Sequence, residues 1–206
     1  MKDDSVRKLA MNGLMIALVF LATYFTRIPT LLPGGYFNLG DAVIMMAAAF
    51  LGPIGGLIAG GIGSAFADLA AGAFIFAPIT LVVKGIEGLV VGLLAANYVK
   101  SKRLKPAGEI HAAGSNAASG LSLDSRTRSA SANMNLILAL AVGAVIIVAG
   151  YFSGEAFILS MFDSTFGIVA AAGELVANSV QGVLSAVLAY FLILVLSKVG
   201  IQKYIS

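Results

Sequence analysis

Long uncharged runs, several near the ~20 residues that cross a bilayer core of ~30 Å, leave this chain one broad class of fold. Across its 206 residues 59% are hydrophobic and only 11% are charged, where soluble domains average about 25% charged. The chain therefore reads as an all-α membrane protein. We expect a single domain over residues 1–206, a bundle of six transmembrane helices lying in the lipid bilayer.

Proline, glycine and the polar breaks divide the runs. Span 1 is expected over residues 9–25, ended by Pro29 and Pro33. Lys2, Arg7 and Lys8 precede it as in a signal peptide. It is too long for one, lacks a small-x-small cleavage site and is followed by Arg27, so it reads as a retained span. Span 2 begins near Asn38 to Asp41 and stops at Gly52 and Pro53, since proline cannot continue the hydrogen-bond ladder. At ~1.5 Å per residue it covers roughly 20 Å, so it must start below the membrane surface. Span 3 is expected over 54–71, span 4 over 77–98, span 5 over 136–152 and span 6 over 174–196. Residues 153–173 are too broken for a span and read as a loop with a short helix. Residues 100–133 read as a flexible cytoplasmic loop. Its part from Pro106 to Asn133, rich in Ala, Ser and Gly, cannot bury enough apolar surface to offset ordering entropy and is expected to be disordered.

Charge sets the orientation. Of the 13 Lys and Arg, all but Arg27 and Lys84 fall in the N-terminal tail, in 100–133 or in the C-terminal tail. With six spans these segments share one side, and the positive-inside rule makes it the cytoplasm. Both termini are then cytoplasmic, and residues 27–38, 72–77 and 153–173 form the outer loops.

Span 3 carries a glycine ladder: Gly56, Gly60 and Ser64 recur every fourth residue, as do Gly55, Ala59, Gly63 and Ala67. In lipid such spacing lets helix backbones approach closely, so this span should pack centrally.

The polar residues inside the spans point to a site. Asp41 opens span 2, Asp68 lies near the outer end of span 3, Lys84 and Glu87 lie in span 4, and Glu174, Asn178 and Gln181 line the start of span 6. A charge at mid-bilayer costs at least ~2.5 kcal/mol, so such residues pair or line a wet cavity. The topology gathers them in the outer half, with Glu87 and Gln181 deepest, as a pocket open to the exterior. Some admit a second reading. Lys84 and Glu87, three apart, can satisfy each other, and Asp41 or Asn38 can cap span 2. Glu174, Asn178 and Gln181 share one helical face, and a polar stripe in an apolar span favours ligand contact. Tyr36, Phe37, Phe74 and Phe76 sit by the outer loops, as interfacial belt residues or as stacking partners for a flat ring.

Catalytic motifs are missing. There is no G-x-x-x-x-G-K-[ST] loop, no H-E-x-x-H and no G-x-S-x-G elbow. The chain has no cysteine, and its one histidine, His111, lies in a polar stretch, so neither a disulfide nor a thiolate or paired-histidine metal site is expected. We expect no enzyme activity, no cofactor, no metal and no nucleic-acid partner.

The run Asn38-Leu39-Gly40-Asp41-Ala42-Val43-Ile44, then Gly52-Pro53 and Gly60-Gly61-Ile62-Gly63-Ser64-Ala65, resembles the substrate-binding S components of energy-coupling factor (ECF) vitamin transporters. So do Asp68-Leu69, Pro78-Ile79-Thr80 and Lys84-Gly85-Ile86-Glu87-Gly88. The similarity is to the riboflavin-type subgroup, which includes hydroxymethylpyrimidine and pyridoxine carriers; it covers spans 1 to 4 well and span 6 loosely. It implies a six-helix subunit of a prokaryotic plasma membrane that holds one vitamin near the outer surface. It also implies partners, a transmembrane coupling protein and two cytoplasmic ATPases that hydrolyse ATP for it, and a loaded subunit that topples to release its vitamin inside. The family's small-xxx-small motif on span 1, which meets the coupling protein, falls on Gly13 and Ala17 with Ala10 just before; the same spacing also suits ordinary helix packing. The polar stretch between spans 4 and 5 is longer than the family pattern.

Together these readings give a substrate-binding subunit of an ECF-type ABC vitamin importer. The expected ligand is a small flat ring, hydroxymethylpyrimidine or a pyridoxine-like compound, since riboflavin needs a larger pocket. The expected substrate-binding residues are Tyr36, Asn38, Asp41, Asp68, Lys84, Glu87, Glu174, Asn178 and Gln181. The alternative is a self-sufficient secondary transporter, coupled to protons or cations through Asp68 or Glu87. The inverted repeats that would favour it are not visible.

Overall fold

A computed structural model describes residues 2–33, 35–103 and 117–200 of the chain, with side chains described for 5–33, 35–96, 98 and 130–200. Helix α1 (Lys2–Phe25) leads into a two-stranded antiparallel hairpin, β1 (Ile28–Pro29) with β2 (Tyr36–Phe37), which pairs Ile28 with Phe37 and Pro29 with Tyr36. Then come α2 (Gly40–Ala71), α3 (Ala77–Arg103) and α4 (Ala117–Ser153). A π-helical turn (Gly154–Ile158) and a 3₁₀ turn (Leu159–Met161) follow, and α5 (Ile168–Val199) closes the bundle. Five of these helices are long and apolar enough to cross a membrane.

The expected spans 2 and 3 meet a single element, α2, but it is not straight. Gly52 takes φ 80° and ψ −173°, a conformation open to glycine, and Pro53 then supplies the first turn of the second arm without a missing donor. The arms fold back on one another. A Cβ placed on Gly56 would lie 2.9 Å from the Cα of Ala48, and one on Gly60 would lie 2.8 Å from the Cγ2 of Ile44. In a continuous helix residues eight apart are separated by ~12 Å along the axis.

The second arm packs centrally, as its small residues lead one to expect. A Cβ on Gly56 would overlap the Gly88 carbonyl oxygen of α3, and one on Gly88 would overlap the carbonyl of Gly56. Its other side meets α1, where Gly63 faces the Ile16 carbonyl and Val19. With no hydrophobic drive between helices in lipid, this backbone contact supplies the attraction. The burial pattern agrees: 61% of the α2 span and 56% of the α3 span are buried, against 17% of α1 and 28% of α4 and of α5. Ile44, Met45, Val91, Leu136, Ile147 and Ile193 fill the interior, while Phe66, Val145, Val180 and Phe191 face outward as lipid-facing residues would.

Three boundaries differ from expectation. Residues 117–133, expected to be disordered, are the first turns of α4. A helix already nucleated by an apolar span extends through flanking Ala, Leu, Ser and Arg without a second nucleation cost. The remainder of that expected loop divides between the end of α3, through Arg103, and residues 104–116, which lie outside the described residues together with His111. Helix α5 begins at Ile168 instead of 174, since residues 168–172 contain no breaker once Gly167 has turned the chain at φ 146°. Helix α1 likewise reaches back to Lys2.

Candidate functional site

At the end of the bundle beneath the hairpin, the loop before α2 and the ends of all five helices enclose a polar crevice. Its lining includes Thr23 of α1, Tyr36 and Asn38 of the loop, Ser64 and Asp68 of α2, and Thr80 and Lys84 of α3. Tyr151 comes from α4, Glu155 from the π turn, and Glu174, Asn178 and Gln181 from α5. The unfilled space is about 440 Å³, its open mouth included, and little of it is wide enough for a water molecule.

Its floor is a buried relay across three helices. Lys84 of α3 donates to Asp41 Oδ1, and the two side chains are 1% and 0% exposed. Gln181 of α5 donates from Nε2 to Asp41 Oδ2 at 2.7 Å, and its Oε1 accepts the Asn38 N–H at 2.8 Å. Asn38 Oδ1 in turn accepts the Gly40 N–H at 2.9 Å and so steadies the first turn of α2. Neither residue is the cap expected of it: Leu39 holds the N-cap position with no side-chain hydrogen bond, and Asn38 closes a tight turn just before it. Asp41 is a salt-bridge partner, because it sits inside the first turn with its carboxylate turned toward α3. Lys84 pairs with Asp41 and not with Glu87. Neither carboxylate oxygen of Glu87 has a hydrogen-bond partner, although the side chain is wholly buried. Lys84 Nζ also stands 5.1 Å from the centre of the Tyr151 ring, a cation–π contact.

The roof is tied down from below. Glu174 Oε1 accepts the backbone N–H groups of Leu31 at 2.8 Å and Leu32 at 3.0 Å. Tyr36 donates its phenol proton to Asp68 Oδ1. Burial, and then the charge of Asp68, push the Tyr36 phenol above its ordinary range, so it remains a donor at any physiological pH. Thr26 Oγ1 accepts the Leu39 N–H at 2.8 Å, and Tyr151 meets Thr80 Oγ1 at 3.0 Å. Under the roof Leu32, Phe76, Ile79, Val83, Leu159 and Phe166 form a small apolar cluster of their own.

Of the nine residues picked out by sequence, seven line the crevice: Tyr36, Asn38, Asp68, Lys84, Glu174, Asn178 and Gln181. Asp41 lies behind them as the hub of the relay, and Glu87 lies one turn further along α3 than Lys84, outside the lining. Among the loop aromatics Phe76 is buried on the lining, whereas Phe74 is 67% exposed and turned away. Sequence reasoning missed Thr23, Ser64, Thr80, Tyr151 and Glu155. The hydroxyls carry no signal in a membrane helix, and Glu155 falls in the segment 153–173 that reads as a loop with a short helix.

Residues 3–198 match the family model described as the S component of the ECF-type riboflavin transporter. A curated relative from Pyrococcus woesei, titled an uncharacterized protein in a gap 3′ region, is 47% identical over 74 residues. That alignment covers 36% of this chain and 49% of the relative, so the chain spans about half the length of the curated protein it matches.

Proposed function

The chain belongs to the S components of ECF-type riboflavin transporters, and from that premise we propose that its crevice captures one small ring vitamin or precursor at the outer face of the membrane. The family is one of membrane-embedded, vitamin-binding transporter subunits, and the chain is a subunit of this kind rather than an enzyme. The observation that carries the reading is the convergence of polar side chains from five helices and a loop at one end of an otherwise apolar bundle. Such residues are kept inside a membrane where they serve a ligand or an ion.

The narrowness of the space favours a single ring, hydroxymethylpyrimidine or a pyridoxine-like compound, over riboflavin. We count six passes, because the two arms of α2 fold back at Gly52, and place both termini in the cytoplasm of a prokaryotic cell. A transmembrane coupling protein and two ATPases complete the importer in this proposal. Ala10, Gly13 and Ala17 are all exposed on one side of α1, and a Cβ on Gly13 would meet nothing within 4 Å. That bare stripe suits contact with the coupling protein.

The test is native mass spectrometry of the detergent-purified chain, followed by thermal unfolding with each candidate vitamin. A copurifying ring compound that raises the melting temperature is the expected result. If no water-soluble vitamin does so, the reading fails. The unpartnered buried carboxylate of Glu87 favours the rival, a cation-coupled secondary transporter. Uptake by the chain alone in liposomes, driven by a proton gradient, would decide for that rival.

A further inference from the structure

The crevice holds more acids than bases. Asp68, Glu155 and Glu174 line it, and its one cation, Lys84, is already taken by Asp41. Among the described residues no group of acids and histidines is arranged to hold a metal ion. Glu174 gives one oxygen to the roof. Glu155 is 3% exposed and its Oε2 has no partner; Asp68 is 3% exposed and its Oδ2 has none. Beside them Ser64 and Thr23, 1% and 2% exposed, also have unpartnered hydroxyls.

A buried carboxylate oxygen with no donor costs a folded protein on the order of 1–3 kcal/mol or more. Two on one cavity wall, Asp68 Oδ2 and Glu155 Oε2, describe a surface waiting for donors. The backbone presents Glu155 by a special device. Helix α4 ends at Ser153, and the chain widens into a π turn over Gly154–Ile158. That turn carries Glu155 on its buried side, where it lines the crevice, while Phe157 is exposed. Such turns are frequent at functional sites.

We propose that Glu155 is a ligand-binding residue. With Asp68 it selects a small heteroaromatic ring that carries N–H donors, an exocyclic amine beside a protonatable ring nitrogen, and that bears no phosphate or carboxylate. An amine and an adjacent ring N–H present two parallel donors, which one carboxylate accepts in bidentate fashion. An anionic ring would instead face three acids with no free cation, and like-charge juxtaposition costs several kcal/mol. This selectivity rests on the vitamin-binding reading and narrows it.

The test is calorimetric titration of the detergent-purified full chain. The probes are hydroxymethylpyrimidine, its analogue with a ring carbonyl in place of the amine, its phosphate ester, pyridoxine and riboflavin. The amine is expected to bind best, with the carbonyl analogue about tenfold weaker or worse and the phosphate ester about a hundredfold weaker or worse. Glu155→Gln should weaken the amine about tenfold while the unliganded melting temperature holds, and Glu155→Asp should fall between. Unchanged affinity in both variants, or a phosphate ester bound as tightly as its parent, overturns the proposal. Riboflavin or pyridoxine binding tightest and ignoring Glu155→Gln overturns it too, yet leaves the vitamin-binding reading standing. Binding by none of the probes overturns both.

Discussion

Replacing Asp41 by Asn should be among the most damaging isosteric changes available in this protein. The carboxylate is fully buried and takes one bond from Lys84 and another from Gln181. An amide offers one acceptor and one donor, so its NH₂ must face either the ammonium or the Gln181 NH₂. Flipping Gln181 does not help, because its oxygen is needed by the Asn38 N–H. Donation thus converges on Asp41, from the Asn38 backbone through Gln181 on one side and from Lys84 on the other, and only a group that accepts on both sides fits at position 41. Asp41→Asn also leaves the Lys84 ammonium without its paired charge. Breaking a buried pair in this way costs about 3–5 kcal/mol, and for a chain of this size each kcal/mol moves the melting temperature by roughly 2–4 °C. The expected drop is therefore on the order of 10 °C. Far-UV circular dichroism in detergent is the suitable readout, since the chain has no tryptophan. The double variant Asp41→Leu with Lys84→Met removes both charges and should recover more than half of the loss. A melting temperature for Asp41→Asn within about 2 °C of the parent, or a double variant no better than the single one, would refute this account of the relay.

Other substitutions separate packing, binding and partner contact. Gly56→Ala sets a methyl against the Gly88 carbonyl, a backbone atom that cannot rotate aside. It should cost about 1–3 kcal/mol, read as a lower melting temperature, and no change would mean that the α2–α3 approach is looser than described. Asn178→Ala should weaken vitamin binding and leave stability alone, whereas Gln181→Ala should harm both, because only Gln181 belongs to the relay. Equal thermal losses in the two variants would contradict that division. Glu174→Ala orphans the N–H groups of Leu31 and Leu32, so limited proteolysis should cut residues 28–37 faster than in the parent; equal cutting rates would show that the roof is held by other contacts. Gly13→Leu should preserve folding and vitamin affinity but abolish uptake in cells that supply the coupling protein and ATPases. Normal uptake would remove α1 from the proposed interface.

Much of the architecture was legible because lipid leaves few alternatives. The glycine–proline pair at Gly52 and Pro53 marked the reversal of α2, since one residue tolerates a positive φ and the other ends a ladder. Gly56, Gly60 and Gly63 marked the central arm, and each meets a neighbouring backbone. Composition misled at residues 117–133. Their Ala and Ser content looks like a linker in isolation, but attached to an apolar helix it extends that helix. The start of α5 was missed for a related reason. The polar stripe opens at Glu174 and draws the boundary there, although nothing in residues 168–172 opposes a helix.

The site was legible as a set of residues and opaque as a circuit. Buried charge is expensive wherever it sits, so Asp41, Asp68, Lys84 and Glu174 could be picked out with no knowledge of their partners. Which charge pairs with which depends on helix rotation. Spacing along α3 allows Lys84 to pair with Glu87, yet Lys84 reaches across to Asp41 and the Glu87 carboxylate is left without a hydrogen bond. Glu155 shows the converse failure. A carboxylate in a loop is ordinarily solvated, and nothing in the residues around it announces a π turn that carries it inside. The backbone irregularity hid the residue from sequence reasoning, and it also brought another acid into a cavity whose only lysine was already spoken for. A binding wall of that character is better suited to receiving donors than to holding an anion.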